Sequence, residues 1–187
     1  EISACLVGSE MCIRDRDIVD SATESELADR GTESYSNLGY ALLGHALETA
    51  ADTPYEQLLH ERILKPAGMK ETYLMTPGSV PDEAPRGLTA AGRTAEPWEM
   101  EGCSAAAGAI RSTAHDMAAF ATWFMEHGDT SYGWQENDDG KSFWHNGGTY
   151  GYSTMLIIDP KENRAAFANN DSPAGTEDLA EALFERI

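Results

Sequence analysis

Apolar residues along this chain recur in two rhythms, and each predicts a kind of element. From about Leu38 to Ala51 they run almost all the way round a helical wheel, which predicts a buried helix. Gly39 and Gly44 each cost about 1 kcal/mol relative to Ala in a helix, so another element is expected to pack close against them. Thr53-Pro54-Tyr55-Glu56 then reads as a helix start: Thr caps, Pro sits in the first turn and Glu closes a capping box. That helix carries Tyr55, Leu58, Leu59 and Ile63 on one face and is expected to stop before Pro66. A third helix opens at the Thr113/Asp116 box and ends at Gly128, with Met117, Phe120, Ala121, Phe124 and Met125 at i, i+3, i+4, i+7 and i+8.

The rhythm then changes. Lys141–His145, Tyr152–Ile158 and Arg164–Asn169 read as strands, and Asp159-Pro160-Lys161-Glu162-Asn163 as a tight turn between the last two. A closing helix from Glu177 to Ile187 is apolar at Leu179, Ala182, Leu183 and Ile187. Residues 66–110 are rich in Pro, Gly, Ala and Thr and read as a long irregular excursion of short strands and turns, the kind of segment that often walls a site. Residues 17–33 are polar, with a short helix expected around Glu24–Arg30, ending at Gly31. The pattern predicts an α/β or α+β domain with helices against an antiparallel meander, and no internal repeat.

Composition narrows the class. The chain has 187 residues, enough for one domain with a real core, and is 41% hydrophobic and 24% charged, which is globular. The formal net charge is -19, so the basic footprint that nucleic acid requires is missing. No apolar run is long enough for a transmembrane segment. Residue 1 is Glu rather than Met. Residues 1–16 show no useful period, and the run from Cys5 to Arg16 resembles a translated adapter or cloning artefact. They are taken as a foreign or disordered segment, and residues 17–187 as one domain. Within 17–187, Cys103 has no second cysteine to pair with. The five histidines are scattered without metal-ligand spacing, so no metal or cofactor is expected.

Two polar stretches carry candidate chemistry. Tyr35-Ser36-Asn37 sits just before the first helix, where Ser36 or Asn37 can cap it. His145-Asn146-Gly147-Gly148-Thr149 lies 110 positions on, with glycines that let a ligand approach the backbone closely. Either stretch alone has an ordinary explanation: a cap with a packing tyrosine, or a strand histidine before a bulge. A phenol titrates near pH 10, so Tyr35 as a base at neutral pH would need nearby positive charge, part of which a protonated His145 could supply.

Four stretches in order carry a resemblance: Tyr35 to Gly44, Ile63-Leu-Lys-Pro-Ala-Gly-Met69, Ala107 to Met117, and Trp144 to Tyr152. From about residue 31 onward the chain resembles the class C β-lactamases and the related penicillin-binding carboxypeptidases and esterases. The resemblance implies a serine β-lactamase-like fold, an antiparallel sheet flanked by helices, with the N-terminal portion missing. It also implies acyl transfer through a serine from an S-x-x-K motif. In that scheme Tyr35 is the general base or proton relay and Asn37 the amide that orients lysine and substrate. His145 and Gly147 form the H-x-G stretch, and the Gly148 N–H is one oxyanion donor, a kind of contact worth about 3–4 kcal/mol in the transition state. The implied partner is a small-molecule or peptide substrate: a β-lactam, a D-Ala-D-Ala peptide or an ester. The implied compartment is periplasmic or secreted.

The chain departs from the family at one point. Three residues before Lys65, Lys70, Lys141 and Lys161 stand Arg62, Ala67, Asp138 and Ile158, so S-x-x-K is absent. Gly151-Tyr152-Ser153-Thr154-Met155 lacks the closing Gly of a G-x-S-x-G elbow, and Gly102-Cys103-Ser104 has the same defect. The expectation is a serine-hydrolase fragment inactive by itself, its nucleophile encoded upstream. The alternative is a non-catalytic binding or interaction protein of the same fold.

Overall fold

The computed structural model describes residues 19–20, 22, 31–100 and 102–187. The expected foreign segment 1–16 and the expected helix at 24–30 lie outside them. The chain forms two compact units. The first takes in residues up to Leu59 with Leu74–Pro81 and Glu99–Arg111, and the second His60–Tyr73, Asp82–Trp98 and Ser112–Ile187.

In the first unit, α1 (Asn37–Ala51) is capped by Ser36, whose Oγ accepts the Gly39 N–H at 3.0 Å. The helix ends at Asp52, whose φ is 50°. The expectation of burial all round does not hold. Only Ala41 and Gly44 are buried, and Leu43 and Leu47 are about half exposed. Ala41 packs with Leu38, Leu42 and Ala107, the last from a 3-10 segment, Gly102–Ala107. A Cβ on Gly39 would meet only Ser36, at 3.4 Å, so that glycine faces its own cap rather than a neighbouring element.

The expected Thr53 cap is also replaced. Thr53 Oγ1 donates back to the Ala51 carbonyl, and the N–H of Tyr55, which opens α2 (Tyr55–Leu59), is taken by Glu48 Oε1 at 2.7 Å. The helix does not stop before Pro66. It widens into a π-type turn, His60–Leu64, and resumes as α3 (Lys65–Ala67), which ends at Gly68 with φ 74°. A proline ring clashes with the carbonyl four residues back in a regular ladder, and a π-type turn loosens that ladder just before Pro66.

Two short strands, β1 (Tyr73–Leu74) and β2 (Ile110–Arg111), pair across the long excursion. In the second unit, α4 (Ala114–His127) is capped by Thr113, whose Oγ1 accepts the Asp116 N–H. The reciprocal half of the box is missing, because the buried Asp116 carboxylate turns to the 70–72 turn. Its Oδ2 accepts the Glu71 N–H and the Thr72 hydroxyl, each at 2.7 Å.

The main sheet has the order β3-β4-β5-β6, all antiparallel: β3 (Gln135–Glu136), β4 (Phe143–Gly148), β5 (Ser153–Asp159) and β6 (Arg164–Asn170). β3 is too short to announce itself in the sequence. The turn after β5 is tied by Asp159 Oδ1, which accepts the N–H groups of Lys161 and Glu162, and by Asn163 at φ 53°. α4 covers one face through Met117, Phe120, Ala121 and Phe124 against Leu156 and Ile158. α5 (Glu177–Phe184) covers the other through Ala180 and Phe184 against Met155, Ile157, Ala166 and Ala168. The residues that made the last helix look apolar face outward: Leu179, Leu183 and Ile187 are all exposed.

Two outcomes follow. Burial pushes the Asp116 carboxyl up, but the bonds from Thr72, Glu71, Lys70 and His115 outweigh it and hold the group below its usual value of 3.8. A depressed carboxylate stabilises the fold above its unfolded pKa and loses that contribution as pH falls through its folded pKa. Asp116→Asn is expected to cost about 1–3 kcal/mol at pH 7. The gap should close in urea melts as pH drops below the ordinary carboxylate range. A gap independent of pH would contradict this account. The second outcome concerns β6, which has no strand on its outer side among the described residues. The isolated chain is expected to self-associate with rising concentration in sedimentation, and a monomer that melts sharply would count against it.

Candidate active site

The five residues singled out from the sequence fall into two groups, one in each unit. Tyr35 and Asn37 stand together at the start of α1. Because Ser36 is the cap and Asn37 the first helical residue, the chain turns there, and the Tyr35 hydroxyl donates to Asn37 Oδ1 at 3.1 Å. The Tyr35 ring lies 5.8 Å from that of Tyr40, centroid to centroid. Partial burial and the neighbouring Tyr40 both push the Tyr35 phenol above the usual tyrosine value of 10.0. Within its unit Tyr35 is therefore a neutral hydroxyl at pH 7, donating to Asn37 rather than standing as a phenolate.

His145, Gly147 and Gly148 lie on β4. The Thr149 N–H bonds the Tyr152 carbonyl at 2.9 Å, closing a two-residue turn, and this sets the phase of the whole ladder. Gly147 and His145 exchange hydrogen bonds with β5. Trp144, Asn146 and Gly148 aim their N–H and C=O groups off the opposite edge. β3 pairs only with Phe143 and Trp144, so among the described residues no strand covers the edge at 145–148. The Gly148 N–H thus points off an open edge, and Gly148 itself is exposed, with nothing within 4 Å of where a Cβ would stand. Gly147 is held to glycine more tightly, since a Cβ there would come within 2.9 Å of Thr154 Oγ1. His145 Nδ1 lies 2.6 Å from the Asn146 carbonyl. A carbonyl only accepts, so Nδ1 carries the proton in this arrangement.

Several neighbours in the second unit were not legible in the sequence. Gly87 crosses Gly151 so closely that a Cβ would fall 1.9 Å from the Gly151 oxygen, and the Gly87 N–H donates to the Tyr152 hydroxyl at 2.7 Å. The excursion is thereby stapled over the β4–β5 turn, where the Trp98 and Tyr150 rings meet at a tilt of 45° with centroids 5.9 Å apart. Asn146 is tied to Glu177 at the start of α5, through Nδ2 donating to Oε1 at 3.1 Å. These contacts join residues 31 or more positions apart and leave no local pattern. One metal-capable group comes together among the described residues, Glu71, His115 and Asp116, with ligand atoms within 4.8 Å of one another. Asp116 Oδ2 is already occupied by Glu71 and Thr72, which makes the group an anchor for the start of α4.

The upward shift of Tyr35 can be read directly. Ultraviolet difference titration of the chain against Tyr35→Phe is expected to place this phenol above pH 10. A midpoint below that value would mean a cation acts on it.

The family model described as Beta-lactamase matches residues 14–184. The D-alanyl-D-alanine-carboxypeptidase/endopeptidase AmpH of Escherichia coli (strain K12) is 35% identical over 105 residues, which is 56% of this chain and 26% of that protein. Among solved structures, the penicillin binding protein from Bacillus halodurans aligns with a TM-score of 0.76 at 16% identity, covering 94% of this chain and 64% of that one. The class C beta lactamase from Rhodobacter sphaeroides aligns with a TM-score of 0.73 at 16% identity, covering 91% and 64%. The match to AmpH therefore spans about a quarter of that relative's length, and the structural likeness bears on fold. The antiparallel sheet between α4 and α5 is that of the serine β-lactamase fold, and the chain belongs to the beta-lactamase family.

Proposed function

We propose that this chain supplies part of a serine acyl-transfer site acting on a β-lactam, a D-Ala-D-Ala peptide or an ester. The observation that carries the reading is the Gly148 N–H, turned off an open strand edge beside His145. A donor held by a backbone ladder needs no reorganisation when charge develops on a carbonyl oxygen, and that fixed dipole is the useful property of an oxyanion hole. His145 and Gly147 form the H-x-G stretch that seats the substrate. Tyr35 relays the nucleophile's proton, and Asn37, already accepting from the Tyr35 hydroxyl, orients the groups around it. The nucleophile and its lysine come from outside these 187 residues, which contain no S-x-x-K. Isolated, the chain is inactive, and the whole protein works in the periplasm or outside the cell.

The test uses the natural polypeptide that carries this chain. It is expected to hydrolyse at least one of the three substrate classes and to accumulate an acyl-enzyme. Tyr35→Phe should slow acylation about 10²–10⁴-fold with a smaller effect on KM. An unchanged acylation rate would remove the relay role. Absence of any hydrolysis, together with a ligand-dependent rise in melting temperature for a penicillin-like compound, would favour the non-catalytic binding protein instead.

A further inference from the structure

Strand alternation puts Asn146 on the same face of β4 as Trp144, and Trp144 packs on the cluster that holds Ala180 and Phe184 of α5. On that face the Asn146 amide reaches the carboxylate of Glu177, the first residue of α5. Gly148 is two residues further on, on the same face, with its N–H turned off the open edge. No cation forms an ion pair with Glu177 among the described residues. The Asn146 bond, with backbone N–H groups, holds the carboxyl below its usual value of 4.5, so it is ionised across neutral and mildly acidic pH. Asn146 anchors one oxygen of this carboxylate, and the charge is thereby fixed beside the edge instead of swinging free.

We propose that Glu177 is a specificity-determining residue: a fixed negative charge that favours substrates carrying an ammonium or an uncharged group near the scissile carbonyl over those carrying a carboxylate. The proposal rests on reading the β4 edge as the substrate-binding edge. Two residues of strand span about 7 Å, so a substrate carbonyl at the Gly148 N–H has its substituents within roughly one Debye length of Glu177 at physiological salt. At that separation, in an environment between protein and water, one unit charge is worth about five- to tenfold in relative affinity. Free carboxylates, including that of a peptide C-terminus, are then disfavoured, and amino-bearing esters or amides are preferred.

The experiment uses three aryl esters of matched size whose acyl chains end in an ammonium, a carboxamide or a carboxylate. They are assayed with the natural polypeptide carrying this chain and with its Glu177→Gln and Glu177→Ala variants. The wild type is expected to rank ammonium above carboxamide above carboxylate in kcat/KM, with the spread narrowing as salt rises. Glu177→Gln keeps an oxygen for Asn146 but removes the charge. It should compress the ammonium-to-carboxylate ratio by about 25- to 100-fold, mainly through KM, and move the carboxamide ester least. An unchanged ratio in Glu177→Gln would overturn the charge role. So would a fall common to all three esters, or a ratio that moves only in Glu177→Ala, since either would make the residue a mere tether. If the wild type turns over none of the esters but does hydrolyse a carboxylate-bearing β-lactam or D-Ala-D-Ala peptide, this proposal alone is overturned; if it hydrolyses none of the three classes, the acyl-transfer reading itself fails and takes this proposal with it.

Discussion

The geometry of the second unit depends on the phase of the β4–β5 ladder. A two-residue turn at Tyr150-Gly151 is closed by the bond from Thr149 to Tyr152, and every pairing from Gly148↔Ser153 back to Phe143↔Ile158 follows from it. A slip of one residue would exchange the two faces of the strand and turn the Gly148 N–H into the sheet. The tip is held by a second constraint. Gly151 sits against Ala95 and Gly87, where a Cβ would come within 2.7 Å of the Ala95 methyl. The excursion and the hairpin therefore lock each other's position, and the glycines there answer to crowding rather than to flexibility.

A sheet so registered needs both faces covered, and the two helices do this with different chemistry. α4 presents large rings and Met117 around the small Ala121, and it stands on Leu156 and Ile158. Its own start is held by the Asp116 carboxylate gripping the 70–72 turn. α5 is short and approaches through the small Ala180 and the single large Phe184, over which Arg164 also lies at 4.3 Å. The close fit at Ala180 brings the start of α5 near β4, and that proximity lets Glu177 reach Asn146.

The Tyr35–Asn37 pair obeys a local rule. Once Ser36 caps α1, its neighbours on either side are pinned, and the phenol meets the carboxamide across a single residue. The phenol's upward shift shows what such a local arrangement lacks. Partial burial and a neighbouring tyrosine favour the neutral form, and any base strength at neutral pH must come from charge that the Y-S-N turn does not contain.

Much was therefore legible in the chain itself. The strands from Phe143 to Asn170, the buried face of α4, the turn at Asp159–Asn163 and the Ser36 cap all follow from period and short-range hydrogen bonding, which act over a few residues. The resemblance carried by Y-S-N and H-N-G led to the family that the wider comparison shows. Period could not say which apolar face of α1 or α5 is buried. Leu43, Leu47, Leu179 and Leu183 look like core residues, yet small alanines and glycines take the contacts because a neighbouring element comes in close. Nor could it show that Glu48 would replace Thr53 as a cap, or that a π-type turn would carry the helix through Pro66. Sequence alone determined the longer helices and strands and the chemistry-bearing residue types, because those depend on neighbours along the chain. Tertiary structure alone decided which faces pack, which strand edge stays open and which carboxylate stands beside it, because those depend on residues brought together from tens of positions apart.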